Sequence, residues 1–183
     1  MLAKVNPPVR SRDDVDAMWE GVADGSVTTV GTDHVPRKRS TKEGKGIWAS
    51  SNGFPGVATM LPIMLHEGHH RRGIAPERIA AVLSLNAARI YNMPGKGTIA
   101  VGGDADLVVV DPELERVVDP ARFGSHADYS PYEGMTLKGW PVMTLVRGRK
   151  VMVDGQITEA ALQDPGGRYV FRSGTPHREG NAA

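Results

Sequence analysis

The 183-residue chain is long enough for one domain and part of a second. A hydrophobic fraction of 40%, a charged fraction of 23% and a formal net charge of +1 suit a globular protein and give no reason to expect nucleic acid or a membrane surface as a partner. There is no cysteine, which excludes disulfides and thiolate zinc sites, and the N-terminus has no apolar signal core, so a cytoplasmic setting is expected.

Asn6-Pro7-Pro8 is rigid and extended, because each proline restricts itself and its predecessor. A helix follows. Ser11 is a fitting N-cap with Asp14 in capping-box position, Val15, Met18, Trp19 and Val22 fall on one face, and Gly25 suits the stop. The run Val27-Thr28-Thr29-Val30-Gly31-Thr32 reads as a short strand that opens into a loop at Asp33, with Pro36 ending regular structure. In a parallel barrel an acidic residue at the C-terminal end of a strand points into the active-site mouth. The plainer alternative is an aspartate that caps the following turn.

Residues 34–55 read as one long loop, basic at Arg37, Lys38, Arg39, Lys42 and Lys45 and turn-like from Ser50 to Pro55. The basic run reads as a solvated, mobile face, the other reading being a rim that attracts anionic substrates. Asn52 before Gly53 stands out, since a glycine beside an asparagine allows close approach of a ligand to the backbone. A helix over 57–71, starting late or bending at Pro62, carries the stripe Val57, Met60, Leu61, Met64 and Leu65; another opens at Pro76, with a short turn over 86–91. Beyond Pro94 glycines cluster, and strands are expected at 105–111, 115–118 and, about a turn near Gly148, over 141–153, with a turn at Asp154-Gly155.

His66-Glu67-Gly68-His69-His70 matches H-E-x-x-H, which on a helix puts His66 and His70 on one face for zinc with Glu67 as general base. Gly68 disfavours the helix this geometry needs, and the motif sits at the polar end beside Arg71-Arg72-Gly73. It is read as a decoy.

Several stretches carry a resemblance when taken in order: Lys4–Arg10, Gly31-Thr32-Asp33-His34-Val35-Pro36, Asn52-Gly53-Phe54-Pro55-Gly56, Leu85–Ile90, Lys96–Val108 and Tyr129-Ser130-Pro131-Tyr132-Glu133-Gly134-Met135. Over residues 4 to about 160 the chain resembles the C-terminal portion of a cyclic amidohydrolase of the dihydroorotase, hydantoinase (dihydropyrimidinase) and allantoinase group. The resemblance implies an α/β fold: the last strand and flanking helices of a TIM barrel over residues 1–93, a β-sandwich portion over 94–160, and a poorly ordered tail over 161–183. It implies metal-dependent ring opening of a cyclic amide, with two divalent ions, usually zinc, activating a hydroxide. Asp33 then matches the family's metal ligand and proton shuttle. Asn6, Asn52 and Gly53 fall in loops that contact the ring amides, and Arg37 stands where dihydroorotases carry a histidine for the substrate carboxylate. The family's His-x-His pair, bridging lysine and two further histidine ligands have no counterpart in residues 1–26. The isolated chain is therefore expected to be inactive and to work within a longer enzyme, a homo-oligomer or an assembly with a partner chain. The alternative is a non-catalytic interaction protein that keeps the sandwich.

Overall fold

The structure is a computed structural model that describes residues 1–44 and 46–171. Lys45 of the basic run and residues 172–183 of the expected tail lie outside the described residues.

Local chemistry sets the first helix, α1, over Arg12–Asp24. The Ser11 hydroxyl accepts from the Asp14 N–H at 3.3 Å and Asp14 Oδ2 accepts from the Ser11 N–H at 3.1 Å, so two orphan donors are satisfied reciprocally. Gly25 ends the helix in the left-handed region at φ 105°. Half of the expected apolar face is used. Val22 is buried and Trp19 packs against the core beneath the Arg72 guanidinium, whereas Val15 and Met18 stay exposed.

The strand expected over 27–32 carries no ladder among the described residues. A parallel strand needs another strand to pair with, and this segment finds other partners. The Val30 N–H donates to Val82 O at 3.0 Å, Arg78 Nη2 donates to Val27 O at 3.0 Å and Asn86 Nδ2 donates to Thr28 O at 2.8 Å.

The long loop is not structureless, having a 3₁₀ turn at Arg39–Thr41 and a short helix, α2, over Gly46–Ala49. Helix α3 starts late, as Pro62 requires, with an α-turn over Met60–Ile63 that widens into a π-helix over Met64–His70. Helix α4 opens with Pro76 in its first turn and runs through Pro76–Ala80, Ala81–Leu85 and Asn86–Ile90, the middle stretch again wider. The turn expected at 86–91 is thus its continuation.

A four-stranded antiparallel sheet follows in the order β1 (Leu107–Val117), β2 (Thr136–Val146), β3 (Arg149–Val153), β4 (Gln156–Ile157). The two strands expected at 105–111 and 115–118 are one strand with an irregularity around Pro112, which has no N–H to give. There Asp111 Oδ1 accepts from the N–H groups of Glu113 and Leu114 instead. Strand β2 begins earlier than expected because Gly139, at φ 91°, lets it lie against α3: a Cβ there would sit 2.8 Å from Leu65 Cβ. Two-residue turns close both hairpins, Arg147-Gly148 and Asp154-Gly155, with positive φ at all four residues as a type I′ turn demands.

The core lies on both sides of α3. Met64 and Leu65 pack with Val22, Ile74, Ile79 and Val82, while Ile63 packs against Val118, Leu137 and Trp140 of the sheet side. Each such apolar side chain contributes about 1.5–3 kcal/mol on burial. The tail expected to be poorly ordered from residue 161 begins instead with helix α5 over Glu159–Gln163, capped by Thr158, and Asp164 pairs with Arg149 at 2.5 Å. No helix among the described residues is long and apolar enough to cross a membrane.

Candidate functional site

Three loops are laced together by backbone hydrogen bonds. The Gly53 N–H donates to Lys4 O at 3.0 Å, joining the loop of Asn6 to the loop of Asn52. The Val35 N–H donates to Phe54 O at 3.1 Å, joining the loop of Asp33 to both. Asn6, Asp33 and Asn52 thus stand on adjacent loops and all three are exposed. Asp33 adopts φ 43°, a conformation that aspartate tolerates better than most residues and that turns the chain sharply after Thr32. It has no hydrogen bond or ion pair to another described residue.

Gly53 is a support rather than an open surface. It is buried at φ 87°, and a Cβ there would lie 2.7 Å from Val35 Cβ. Both of its backbone polar groups are engaged inside the loop cluster, the N–H by Lys4 O and the carbonyl by Lys42 Nζ. Arg37 is exposed on the Asp33 loop, its N–H donating to Val35 O at 2.9 Å. His34 fixes that loop from the other side, because its Nδ1 accepts from the N–H groups of Gly56 and Val57 at 3.1 and 3.3 Å.

The basic run departs from the solvated face expected of it. Lys42 is fully buried. Arg39 bonds Glu133 at 2.7 Å and Glu43 at 3.2 Å, donates its backbone N–H to Asp128 at 2.7 Å, and lies 5.8 Å from the ring centroid of Tyr129. Tyr129 is buried, which pushes its phenol above the ordinary range, and its hydroxyl donates to Leu2 O at 3.4 Å. The segment preceding β2 therefore backs the loop cluster. Sequence reasoning missed Lys42, Tyr129 and His34 in these roles. The signal for the last was its place beside Asp33; nothing in the sequence marked Lys42 off from its basic neighbours.

Three cavities among the described residues are lined by other side chains than Asp33, Asn6 or Asn52. The largest of these three, about 750 Å³, is an apolar groove between α3, α4 and β1; an open cleft of about 470 Å³ lies beside Arg39 and Glu133. A space of about 40 Å³ lies beneath His34.

The H-E-x-x-H residues are engaged elsewhere. His66 Nδ1 accepts from the Lys138 N–H at 3.1 Å, and His70 Nε2 lies 2.9 Å from Pro112 O, so both histidines dock α3 on the sheet. Glu67 is gripped by Arg71 at 2.7 Å and Arg72 at 2.6 Å. Burial pushes its carboxyl up, but the hydrogen bonds from Arg72 and Arg71 outweigh that and hold it below its ordinary value. No group of three or more histidine, aspartate or glutamate side chains among the described residues is placed to hold a metal.

Comparison with known proteins bears on the family of the chain. The model of the amidohydrolase family matches residues 5–151. An allantoinase of Rubrobacter xylanophilus is 40% identical over 177 residues, covering 97% of this chain and 37% of the relative. A dihydroorotase of Pelotomaculum thermopropionicum is 40% identical over 151 residues, covering 82% of this chain and 35% of the relative. Among solved structures, the L-hydantoinase (dihydropyrimidinase) from Arthrobacter aurescens superposes with a TM-score of 0.79 at 38% identity, over 85% of this chain and 35% of that one. The chain spans little more than a third of the length of the curated relatives it matches. A family match over most of the chain, with the Asp33, Asn6 and Asn52 loops inside it, leads to one conclusion: the chain belongs to the amidohydrolase family.

Proposed function

We propose that this chain supplies one side of the active site of a metal-dependent enzyme that opens a cyclic amide by hydrolysis. The observation that carries the reading is the rim itself: an exposed, unpaired Asp33 on a loop laced to those of Asn6 and Asn52. In this reading Asp33 accepts a proton from water as its oxygen attacks the ring carbonyl carbon. The C–N bond breaks, and Asp33 returns the proton to the leaving nitrogen. Asn6 and Asn52 bind the ring amides, Gly53 holds the Asn52 loop in place, and Arg37 faces an anionic substituent where the substrate carries one.

The ions that belong to the reading do not fit the residues present. A catalytic zinc takes about three protein ligands, and among the described residues the rim offers the carboxylate of Asp33, with no cluster of three. The remaining ligands are expected from protein beyond the described residues, whether a longer polypeptide, a second copy or a partner chain. With them we expect zinc, a cytoplasmic setting and a small cyclic amide, and no nucleic acid or membrane. Residues 1–93 then close a (β/α) barrel, with 27–32 gaining a ladder, and 94–160 form part of a sandwich.

The test pairs the chain with the remaining part of a relative such as the Rubrobacter allantoinase, adds zinc and measures ring opening of hydantoin, dihydroorotate and allantoin. The dialysed chain alone is expected to hold about zero metal and to be inactive, since one ligand does not retain zinc. The assembly is expected to open one of the rings, and Asp33→Asn to lower kcat by about 10²–10⁴-fold. A complex that forms and stays inactive on all three would favour a non-catalytic interaction protein.

A further inference from the structure

We propose that Lys42 is a positioning residue, a buried ammonium that sets the spacing between the loops of Asn6 and Asn52. The inference deepens the reading above, on which the substrate contacts of those two asparagines rest. Lys42 has 0% of its surface exposed. Its Nζ donates to Lys4 O at 2.8 Å and to Gly53 O at 2.5 Å, and it makes no ion pair with a described carboxylate. Asn6 lies two residues beyond one of these carbonyls and Asn52 one residue before the other. A single side chain therefore bridges the two loops that present them.

The surroundings make the bridge rigid. The Ser50 hydroxyl donates to Lys42 O at 2.8 Å, and Lys4 Nζ donates to Ser50 O at 2.6 Å, so two lysines cross-link the same loops in opposite directions. The Gly53 N–H meets the same Lys4 carbonyl that Lys42 holds. Burial lowers the Lys42 pKa, and the positive charges of Lys4 and Arg37 lower it further. A buried cation with carbonyl partners alone is a costly way to fill space, and an apolar side chain of like size would fill it at lower cost. What the ammonium adds is two directed bonds at fixed separation, which an apolar side chain does not supply. The same geometry explains why this lysine, alone among the basic run's described members, is withdrawn from solvent.

The test uses the 183-residue chain and the assembled enzyme, with Lys42→Met and Lys42→Arg. In the chain, Lys42→Met is expected to speed amide exchange at Gly53 by about tenfold or more while Val22 and Ile79 keep their protection, the mark of local opening. Lys42→Arg, which keeps the charge and donors on a bulkier, planar head group, is expected to restore part of that protection. In the assembly, Lys42→Met is expected to raise KM by about tenfold and leave kcat within about threefold, a split that general destabilisation does not produce. Unchanged exchange at Gly53 in Lys42→Met overturns the proposal. So does equal acceleration at Val22 and Ile79, and so does lost protection with KM unmoved. If the wild-type assembly opens no ring while the exchange pattern holds, the functional reading falls and the bridging role of Lys42 stands.

Discussion

The sheet and the loop cluster satisfy their backbone groups in different ways. In the sheet, β1 to β4 each pair with the next strand in the chain, β2–β3 and β3–β4 through two-residue turns and β1–β2 across residues 118–135. In the loop cluster, segments far apart in the chain are joined by single hydrogen bonds and by side chains that reach across: Arg78 and Asn86 to residues 27 and 28, Lys42 to Lys4 and Gly53, His34 to Gly56. An antiparallel meander contains its own neighbours, whereas the run before Asp33 has the residues of a parallel strand and, among the described residues, no strand beside it. The chemistry is proposed for the region whose structure is the less self-sufficient of the two.

The sharpest way to break this contrast is to cut into the sheet core. Leu137 is 0% exposed, and Leu137→Ala is expected to cost about 3 kcal/mol in urea unfolding. If the sheet and the helices share α3 as a common wall, that loss should appear in both halves at once, and separate transitions would show two independent units. Next in size, Gly53→Ala places a methyl group on Val35 at an unfavourable positive φ, and is expected to cost about 2 kcal/mol. Its first sign should be faster exchange at Val35 and Gly53 with β2 amides unmoved; uniform acceleration would put the loops and the sheet in one cooperative unit.

The smallest effect concerns pH. Burial lowers the Lys42 pKa below its ordinary 10.5 in the folded chain. Between the lowered value and 10.5 the unfolded chain binds more protons than the folded one, so the Lys42 contribution to stability rises with pH through that window. Below the folded value the cost of burying the charge is present in full. The stability of wild type relative to Lys42→Met should therefore shift in favour of wild type as pH climbs toward 10.5. Parallel curves would mean that the amine titrates alike in both states.

What the sequence made legible follows the same division. The capping box at Ser11 and Asp14, the αL stop at Gly25, the late start of α3 at Pro62 and the turns at Gly148 and Asp154-Gly155 are short-range chemistry and could be read directly. The earlier start of β2 could not, because it depends on Gly139 meeting Leu65 across the fold. Nor could the fate of 27–32, since β-branched residues state a preference and a ladder requires a partner. At the site, Asp33, Asn6 and Asn52 were found as motif residues and the structure sets them on adjacent loops. Lys42 was passed over as one member of a basic run. Composition cannot tell which lysine of several is turned inward toward two carbonyls.

The three tryptophans are distributed so that the contrast can be followed by light. Trp140 is buried in the sheet-side core, Trp19 packs in the helical core under the Arg72 guanidinium, and Trp48 on α2 is 94% exposed near the loop cluster. Trp48 should emit at long wavelength and yield to acrylamide, while Trp140 should emit further to the blue and resist it. Replacing Trp48 with phenylalanine would leave an emission spectrum that reports the packed regions, and the difference from wild type would isolate the loop. Folding of the body and ordering of the rim could then be timed separately in one cuvette, with no added dye.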